Sequence, residues 1–310
     1  MSRRPPSALG AGLVAFAAIV ASAACADAQP RVPARDPVTL DLPVRDTANP
    51  MALVELHFPS GGARLNGLLY LAPGKGPHPT VALLHGYPGN ERNLDLAQAV
   101  RRAGMNVLFF HYRGAWGSGG DFSFDNAQAD VAAALRFLRD SATAARYRVD
   151  RRRLALVGHS MGGWLALRGA AADPAVACAA ALEFWDVGRD GAAMRGDTAS
   201  RREFLTYTTD ITAPGGPLRA AGGPAALVQS VLNRAEEWSL VGSAPALRTR
   251  PVLLLDNTAN AAHAPLVDAL RKAGNARVAT HVWPTDHSFS DRRVGLARTV
   301  IDWLRTDCRL

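Results

Sequence analysis

The chain has 310 residues, of which 48% are hydrophobic and 20% are charged, and its formal net charge is +8. That composition excludes a disordered or fibrous protein and suits one or two globular domains with a sizeable core. The positive charge is nearly all arginine, in scattered pairs such as Arg101-Arg102 and Arg292-Arg293, and no basic tract is interleaved with aromatic residues. No nucleic-acid partner is therefore expected.

The first 28 residues have the pattern of an export signal. Arg3-Arg4 begins a basic segment, residues 9–24 are apolar, and Ala26-Asp27-Ala28 fits a small-residue cleavage site. The apolar run is shorter than the roughly 20 residues that a membrane span needs. We expect residues 1–28 to be a signal peptide, the mature chain to be periplasmic or secreted, and no membrane span to remain after cleavage. A retained N-terminal anchor is the alternative.

Beyond the signal, residues 29–50 are proline-rich and predict an extended lead-in. A hairpin pair of strands follows over 53–71, and strand and helix signals then alternate to the C-terminus. Further strands are expected at 80–84, 107–110, 153–157, 176–182, 251–255 and 277–283, and helices at 94–103, 125–139, 163–172, 265–273 and 291–304. Because these strands are mostly apolar, we predict an α/β fold: a mostly parallel central sheet with helices on both faces.

Residues 184–248 interrupt this alternation with glycines, prolines, arginines and short helical patches. The segment falls between two sheet strands, so it is expected over the carboxyl edge of the sheet, where ligands bind in open α/β folds. We predict one α/β domain over 51–310 with a cap inserted at 184–248. An irregular pair of crossover helices is the alternative. From position alone, Trp116 and Trp238 are expected to line the pocket beneath.

Gly158-His159-Ser160-Met161-Gly162 directly follows the apolar run at 154–157. A serine between a buried strand and a helix, with glycine two residues before and two after, predicts a sharp turn with strained backbone. Such a turn exposes the serine hydroxyl, and the following helix N-terminus supplies free N–H groups. Ser160 is therefore the candidate nucleophile.

A serine hydroxyl needs a base before it can attack a substrate at neutral pH. His287 follows the last predicted strand and precedes the last helix, so its loop can reach back over a serine at the same sheet edge. His57 and His281 fall within strand patterns and are expected to be structural. His287 is therefore the candidate general base.

The residues after the strand at 80–84 predict an oxyanion hole. In Leu84-His85-Gly86-Tyr87, Gly86 allows the turn to direct the Tyr87 backbone N–H toward Ser160, and the Met161 N–H supplies the second donor. Such a donor contributes roughly 3–4 kcal/mol in the transition state. The His85 side chain is expected to stabilise the turn.

The cysteine and histidine spacing indicates no metal site, since neither H-E-x-x-H nor C-x-x-C occurs. No cofactor is expected. A disulfide between Cys178 and Cys308 is compatible with an oxidising compartment, but the sequence does not decide whether it forms.

In this order the motifs resemble those of serine hydrolases of the α/β-hydrolase fold, near the dienelactone-hydrolase-like and prolyl-oligopeptidase-like branches. The resemblance covers about residues 50–310 and rests on five segments: Leu84-His85-Gly86-Tyr87, His111-Tyr112-Arg113-Gly114, Trp116-Gly117-Ser118-Gly119-Gly120, residues 158–163 and Asp286-His287. It implies that Ser160 attacks an acyl carbonyl, that His287 relays the proton, and that water releases the acyl-enzyme.

The third member of the triad is where the chain departs from this pattern. Members of the family usually have a glycine-containing turn and then an aspartate, whereas this chain has Asp256-Asn257-Thr258-Ala259-Asn260. An ungapped register places Asn260 at the acid position, and a shortened turn places Asp256 there. We favour Asp256, the only carboxylate of that loop. Glu183 and Asp186, at the end of the preceding strand, are alternatives from a position that some hydrolases of this fold use.

Together these patterns predict an exported serine hydrolase that acts on small-molecule carboxylic esters or related acyl substrates. A peptidase or amidase is the nearest alternative, although too few residues precede position 50 for the propeller that restricts access in the oligopeptidase-like branch. A non-catalytic binding member of the fold is a further alternative, supported by the irregular acid loop. Oligomeric state and acyl length are not predicted.

Overall fold

A computed structural model describes residues 36–310, so the predicted signal peptide over 1–28 lies outside the described residues. Residues 36–51 contain no helix or strand. They lie against the rest of the chain, where Arg102 donates to the Pro37 carbonyl at 2.6 Å and Arg298 pairs with Asp36 at 2.6 Å. Within 36–310, no helix is both long and apolar enough to cross a membrane.

Eight strands of the described residues form one sheet. In chain order they are β1 (Ala52–Ser60), β2 (Ala63–Leu71), β3 (His78–Leu84), β4 (Asn106–Phe110), β5 (Val149–His159), β6 (Cys178–Leu182), β7 (Val252–Asn257) and β8 (Val278–Trp283). Their spatial order is β1-β2-β4-β3-β5-β6-β7-β8. The pairs β1–β2 and β2–β4 are antiparallel, and every later pair is parallel. The predicted mostly parallel α/β sheet is confirmed.

Within residues 36–310, eleven α-helices connect or cover these strands. They are α1 (Leu94–Arg102), α2 (Phe124–Arg139), α3 (Ser141–Tyr147), α4 (Met161–Ala172), α5 (Val187–Gly196), α6 (Thr198–Ile211), α7 (Gly223–Asn233), α8 (Ala235–Trp238), α9 (Leu240–Ser243), α10 (His263–Lys272) and α11 (Arg293–Thr306). Two features differ from the prediction: α3 was not expected, and β5 begins at Val149, where it pairs with His78, instead of at 153. The polar run Asp150-Arg151-Arg152-Arg153 lacks the apolar pattern by which the rest of β5 was predicted.

The sheet has a hydrophobic core on each face. Along β5, Leu154 and Leu156 pack into the core beneath α2 and α4, whereas Ala155 and Val157 pack into the core beneath α1 and α11. Alternate residues of a strand point to opposite faces, so an apolar run without polar interruption is what a strand covered on both sides requires. The central strands are therefore packed on both faces, which fixes the positions of their carboxyl ends.

A disulfide joins Cys178, at the start of β6, to Cys308, after α11, with 5.7 Å between the Cα atoms. This answers the question that the sequence left open. The bond attaches the C-terminal segment to the middle of the sheet, because β6 lies between β5 and β7.

Between β6 and β7 the chain forms the helices α5 to α9 and a short 3-10 helix at Ala244–Leu247, joined by turns. We call this segment, residues 184–248, the cap. Isolated bridges join Ala115 to Leu218 and Phe122 to Ala220, so the cap contacts the turn after β4. That turn is fixed from below by Asp130, which accepts from the Arg113 side chain at 2.7 Å.

Candidate active site

Ser160 lies in a strained turn between β5 and α4. Its φ is 58° and its ψ is −124°, a conformation that costs a residue with a side chain roughly 1–3 kcal/mol. A Cβ at Gly158 would lie 1.9 Å from the Gly162 carbonyl oxygen, and a Cβ at Gly162 would lie 2.1 Å from the Leu84 carbonyl oxygen. Both flanking positions therefore require glycine, as the sequence predicts for a nucleophile turn.

Ser160 opens into a cavity of about 530 Å³ between the sheet edge and the cap. The other lining residues come from the turn after β3, from the end of β6, and from α5 and α6: Tyr87, Trp185, Asp190, Ala193, Met194, Ser200, Glu203, Phe204 and Tyr207. The expectation that Trp116 and Trp238 line this pocket is wrong. Trp238 is fully buried against Trp164, and the Trp116 indole N–H donates to the Pro88 carbonyl at 2.7 Å.

The turn after β3 approaches Ser160 closely. A Cβ at Gly86 would lie 2.9 Å from the Ser160 Cβ and 3.2 Å from its Oγ, so only glycine allows this backbone to pass beside the serine. The Tyr87 N–H follows at once in this turn. The Met161 N–H is the first of α4 and has no acceptor within its own helix. Both predicted oxyanion donors therefore belong to backbone next to Ser160.

His85 supports this turn from inside. Its Nδ1–H donates to the Gly86 carbonyl at 2.8 Å, its own carbonyl accepts from the Tyr112 hydroxyl at 3.0 Å, and its Nε2 accepts from His111 Nδ1 at 3.3 Å. Burial, helped by the neighbouring His111, lowers the pKa of His85 to about 3. His85 is therefore a neutral side chain that holds the turn, the role that the sequence suggested.

The cap helix α6 also contacts this turn. The Tyr207 hydroxyl donates to the Tyr87 carbonyl at 3.2 Å, and the Tyr87 hydroxyl donates to Thr208 Oγ1 at 3.3 Å. Burial raises the pKa of Tyr87, so its phenol stays protonated as a donor. The turn that carries the predicted oxyanion donor of Tyr87 is thus fixed by hydrogen bonds both from the sheet side and from the cap.

His287 lies in the loop after β8, and His159 holds that loop. His159 Nε2–H donates to the His287 carbonyl at 2.7 Å, and the two rings are 4.8 Å apart between centroids. The His287 side chain is 57% exposed, and within residues 36–310 no hydrogen bond joins it to Ser160. The sequence predicts no role for His159, which occupies the variable position of the motif before Ser160. Its position next to the nucleophile is the signal that it could contact a neighbouring site loop.

The structure brings Glu183, and not Asp256, to His287. His287 Nδ1 lies 3.8 Å from Glu183 Oε1, and no other carboxylate of the described residues lies within 4.0 Å of the imidazole. Glu183 follows β6 with a φ of 43°, and its Oε2 accepts from the Asn257 N–H, which leaves Oε1 on the side of His287.

Asp256, the acid that the sequence favours, has its hydrogen-bond partners elsewhere. Its carboxylate accepts from the Phe184 N–H at 3.1 Å, from Asn260 Nδ2 at 2.8 Å and from His263 Nδ1 at 2.5 Å. Burial raises the pKa of Asp256, while the hydrogen bond from His263 opposes that shift. The other alternative, Asp186, is the N-cap of α5 and accepts from the Arg189 N–H at 3.2 Å.

Within the part of the chain that the structure describes, no group of three or more His, Cys, Asp or Glu side chains is arranged to hold a metal ion. The groups that the structure brings to the sheet edge are the Ser160 hydroxyl, the His287 imidazole, the Glu183 carboxylate and backbone N–H groups. That set can carry out nucleophilic and acid–base chemistry at a carbonyl group.

Comparison with known families agrees with this class of site. Residues 81–299 match the sequence profile of the Alpha/beta hydrolase family, and the chain belongs to that family. Two uncharacterized proteins of Mycobacterium tuberculosis, from strains H37Rv and CDC 1551, are 30% identical to this chain over 151 residues. The matched region is 48% of this chain and 52% of theirs, so the chain spans about half the length of these curated relatives.

Solved structures share the fold at low sequence identity. The α/β hydrolase GrgF from Penicillium has a TM-score of 0.62 and 16% identity, over 84% of this chain and 100% of GrgF. An esterase of Pyrococcus furiosus has a TM-score of 0.58 and 18% identity, over 83% of this chain and 93% of the esterase. The expected α/β-hydrolase fold is thereby confirmed.

Proposed function

We propose that this chain is a serine hydrolase that cleaves carboxylic esters through an acyl-enzyme on Ser160. The observation that carries the proposal is the position of Ser160: a strained turn at the sheet edge, facing a cavity of about 530 Å³, with the Gly86 backbone against its hydroxyl. A residue is held in such a conformation only where the surrounding structure enforces it, and such strain concentrates at active sites.

In the proposed reaction, His287 removes the proton from Ser160 Oγ as the oxygen attacks the ester carbonyl carbon. The Tyr87 and Met161 N–H groups stabilise the resulting oxyanion. The tetrahedral intermediate collapses as the C–O bond to the alcohol breaks, and His287 gives its proton to the leaving oxygen. A water molecule, deprotonated by the same imidazole, then releases the acid and restores Ser160.

Glu183 takes the role of the triad acid in this proposal. Its carboxylate orients the His287 ring by accepting from Nδ1–H and stabilises the imidazolium that forms during each step. The distance of 3.8 Å between Nδ1 and Oε1 must shorten for a hydrogen bond to form. Catalytic hydrogen bonds are often long without substrate and tighten in the complex, so this distance is compatible with the role.

The proposed location is periplasmic or secreted, with no membrane span after signal removal. The N-terminal pattern over 1–28 supports it, and so does the Cys178–Cys308 disulfide, because such bonds persist in oxidising compartments. Expression in a bacterial host followed by fractionation and intact-mass measurement tests it. A mature chain that begins near Gln29 is expected, and full-length chain in the cytoplasm would contradict the proposal.

The activity is tested with short p-nitrophenyl esters and aminoacyl anilides. The wild-type protein is expected to hydrolyse the esters, and Ser160→Ala and His287→Ala should each abolish the rate while the far-ultraviolet circular dichroism stays unchanged. Ser290→Ala, at an exposed serine of the same loop as His287, is the control and should keep the rate. Comparable turnover of the anilides would favour a peptidase, and full activity in Ser160→Ala would overturn the proposal.

A further inference from the structure

The cavity above Ser160 is lined by aromatic rings. Four of them, Tyr87, Trp185, Phe204 and Tyr207, come from three separate segments of the chain. The ring of Tyr87 lies 6.1 Å from each of the other three, and the rings of Trp185 and Phe204 are 5.6 Å apart in an edge-to-face arrangement. These rings therefore give the cavity an apolar lining beside Ser160, and a ring face, unlike a ring edge, carries the negative π density that attracts a cation.

The charged residues of the cavity are all acidic. Asp190 and Glu203 line it, and no arginine or lysine does, although the chain has 35 basic residues against 27 acidic ones. The Asp190 carboxylate accepts from the Trp185 indole N–H at 2.9 Å and pairs with Arg189 at 3.1 Å. Glu203 forms no ion pair within residues 36–310, so its charge stays available to a ligand.

We propose that this cavity selects esters that carry an organic cation, with an ammonium group held between the aromatic rings and the Glu203 carboxylate. This inference rests on the proposed ester hydrolysis and names the substrate class of that same site. A cation over an aromatic face is attracted by the ring quadrupole, and the attraction grows as water is excluded. The Glu203 carboxylate also attracts the cation by Coulomb interaction.

Other substrate classes fit this cavity less well. A neutral aromatic acyl group would fill the space among the rings but would make no use of the charge on Glu203, which is exposed at the cavity. An anionic substrate would meet the Glu203 carboxylate and no lining cation, since Arg189 is already paired with Asp190. The cation is the only one of the three that satisfies both the rings and the acid.

A matched pair of ligands tests the inference directly: choline and its neutral isostere 3,3-dimethylbutan-1-ol. Their binding to the Ser160→Ala protein is measured by calorimetry and by the change in intrinsic tryptophan fluorescence, to which Trp185 in the cavity contributes. Choline is expected to bind at least about tenfold more tightly than the alcohol. Glu203→Gln should remove most of that preference, whereas Asp210→Asn should preserve it. Asp210 lies on the same exposed helix, and its loss changes the net charge equally, but it does not line the cavity.

Equal affinity for the two ligands, or no binding of either, would overturn the inference. Kinetics with acetylcholine, 3,3-dimethylbutyl acetate and p-nitrophenyl acetate separate it from the proposed hydrolase function. Hydrolysis of all three with no preference for the cationic ester would contradict the cation site alone. Selective choline binding without hydrolysis of any ester would leave the cation site in place and contradict the hydrolase function.

Discussion

The two halves of the candidate site are held in different ways. Ser160 is enclosed by backbone, with glycines at 86, 158 and 162 where a Cβ would lie 1.9–2.9 Å from neighbouring atoms. His287 is exposed over 57% of its side chain, and one hydrogen bond from His159 fixes its carbonyl. The candidate nucleophile is thus placed by steric exclusion, which cannot relax, and the candidate base by a few polar contacts, which can. Substitutions that disturb the backbone around Ser160 should therefore have the largest effects, whereas loss of a contact that holds the His287 loop, such as the one from His159, should have smaller effects.

The largest effect is expected from Gly162→Ala. Its Cβ would lie 2.1 Å from the Leu84 carbonyl oxygen, so the turn and the end of β3 cannot both keep their positions. The rate of ester hydrolysis should fall more than about a thousandfold, and the free energy of unfolding should decrease by several kcal/mol. Gly196→Ala is the matched control, since nothing lies within 4 Å of its added Cβ. Wild-type activity in Gly162→Ala would show that the turn is not under steric constraint.

The next effect separates the two candidate acids. Glu183→Gln should lower kcat between about 100- and 10,000-fold with little change in KM, because the imidazolium loses its carboxylate. Asp256→Asn should reduce the melting temperature, through the hydrogen bonds from Phe184 and His263, and leave most of kcat. Measuring kcat and Tm of both variants decides the assignment. A larger loss of kcat in Asp256→Asn would return the acid role to Asp256.

A smaller effect is expected where the cap contacts the oxyanion turn. Tyr207→Phe keeps the ring but removes the hydrogen bond to the Tyr87 carbonyl, so the turn is held less firmly. We expect kcat to fall about three- to tenfold, the size of one lost hydrogen bond. Tyr147→Phe, on α3 and away from the cavity, serves as the control. Unchanged kcat in Tyr207→Phe would mean that the sheet alone positions the turn.

The smallest effect concerns pH and the support of His287. Burial, with a further contribution from His287, lowers the pKa of His159 to about 4, against about 6.5 in an unfolded chain. Between these values the unfolded state binds more protons, so the free energy of unfolding decreases as the pH falls from 6.5 toward 4, by at most about 3 kcal/mol for this group.

His159→Gln should flatten that dependence, because glutamine does not titrate but still offers a donor. His85 and His111, whose pKa values burial also lowers, to about 3 and about 4, should keep the rest of the slope. Urea unfolding at several pH values between 4 and 7 measures it, with the exposed His57→Gln as control. If the free energy of unfolding depended on pH as steeply in His159→Gln as in the wild-type protein, His159 would not be buried in its neutral form.

Much of the fold and half of the site could be predicted because they depend on local rules. Apolar runs such as 251–255 mark strands covered on both faces, and the glycines around Ser160 report a steric requirement that lies within the motif. The acid could not be chosen in this way. His263, seven residues after Asp256, hydrogen-bonds to its carboxylate. The approach of Glu183 to His287 depends on where the loop after β8 lies, which no local pattern reports. The cavity aromatics on α6 likewise carry no distinctive local pattern.

The most direct test of the central claim is labelling with a fluorophosphonate, read by intact mass on the mature chain. The probe reacts with a serine that has a working base and oxyanion hole, whatever the natural substrate is. One adduct is expected on the wild-type protein and on Ser200→Ala, a serine that also lines the cavity. None is expected on Ser160→Ala. An adduct that persists in Ser160→Ala, or no adduct on the folded wild-type protein, would contradict the assignment of Ser160 as the nucleophile.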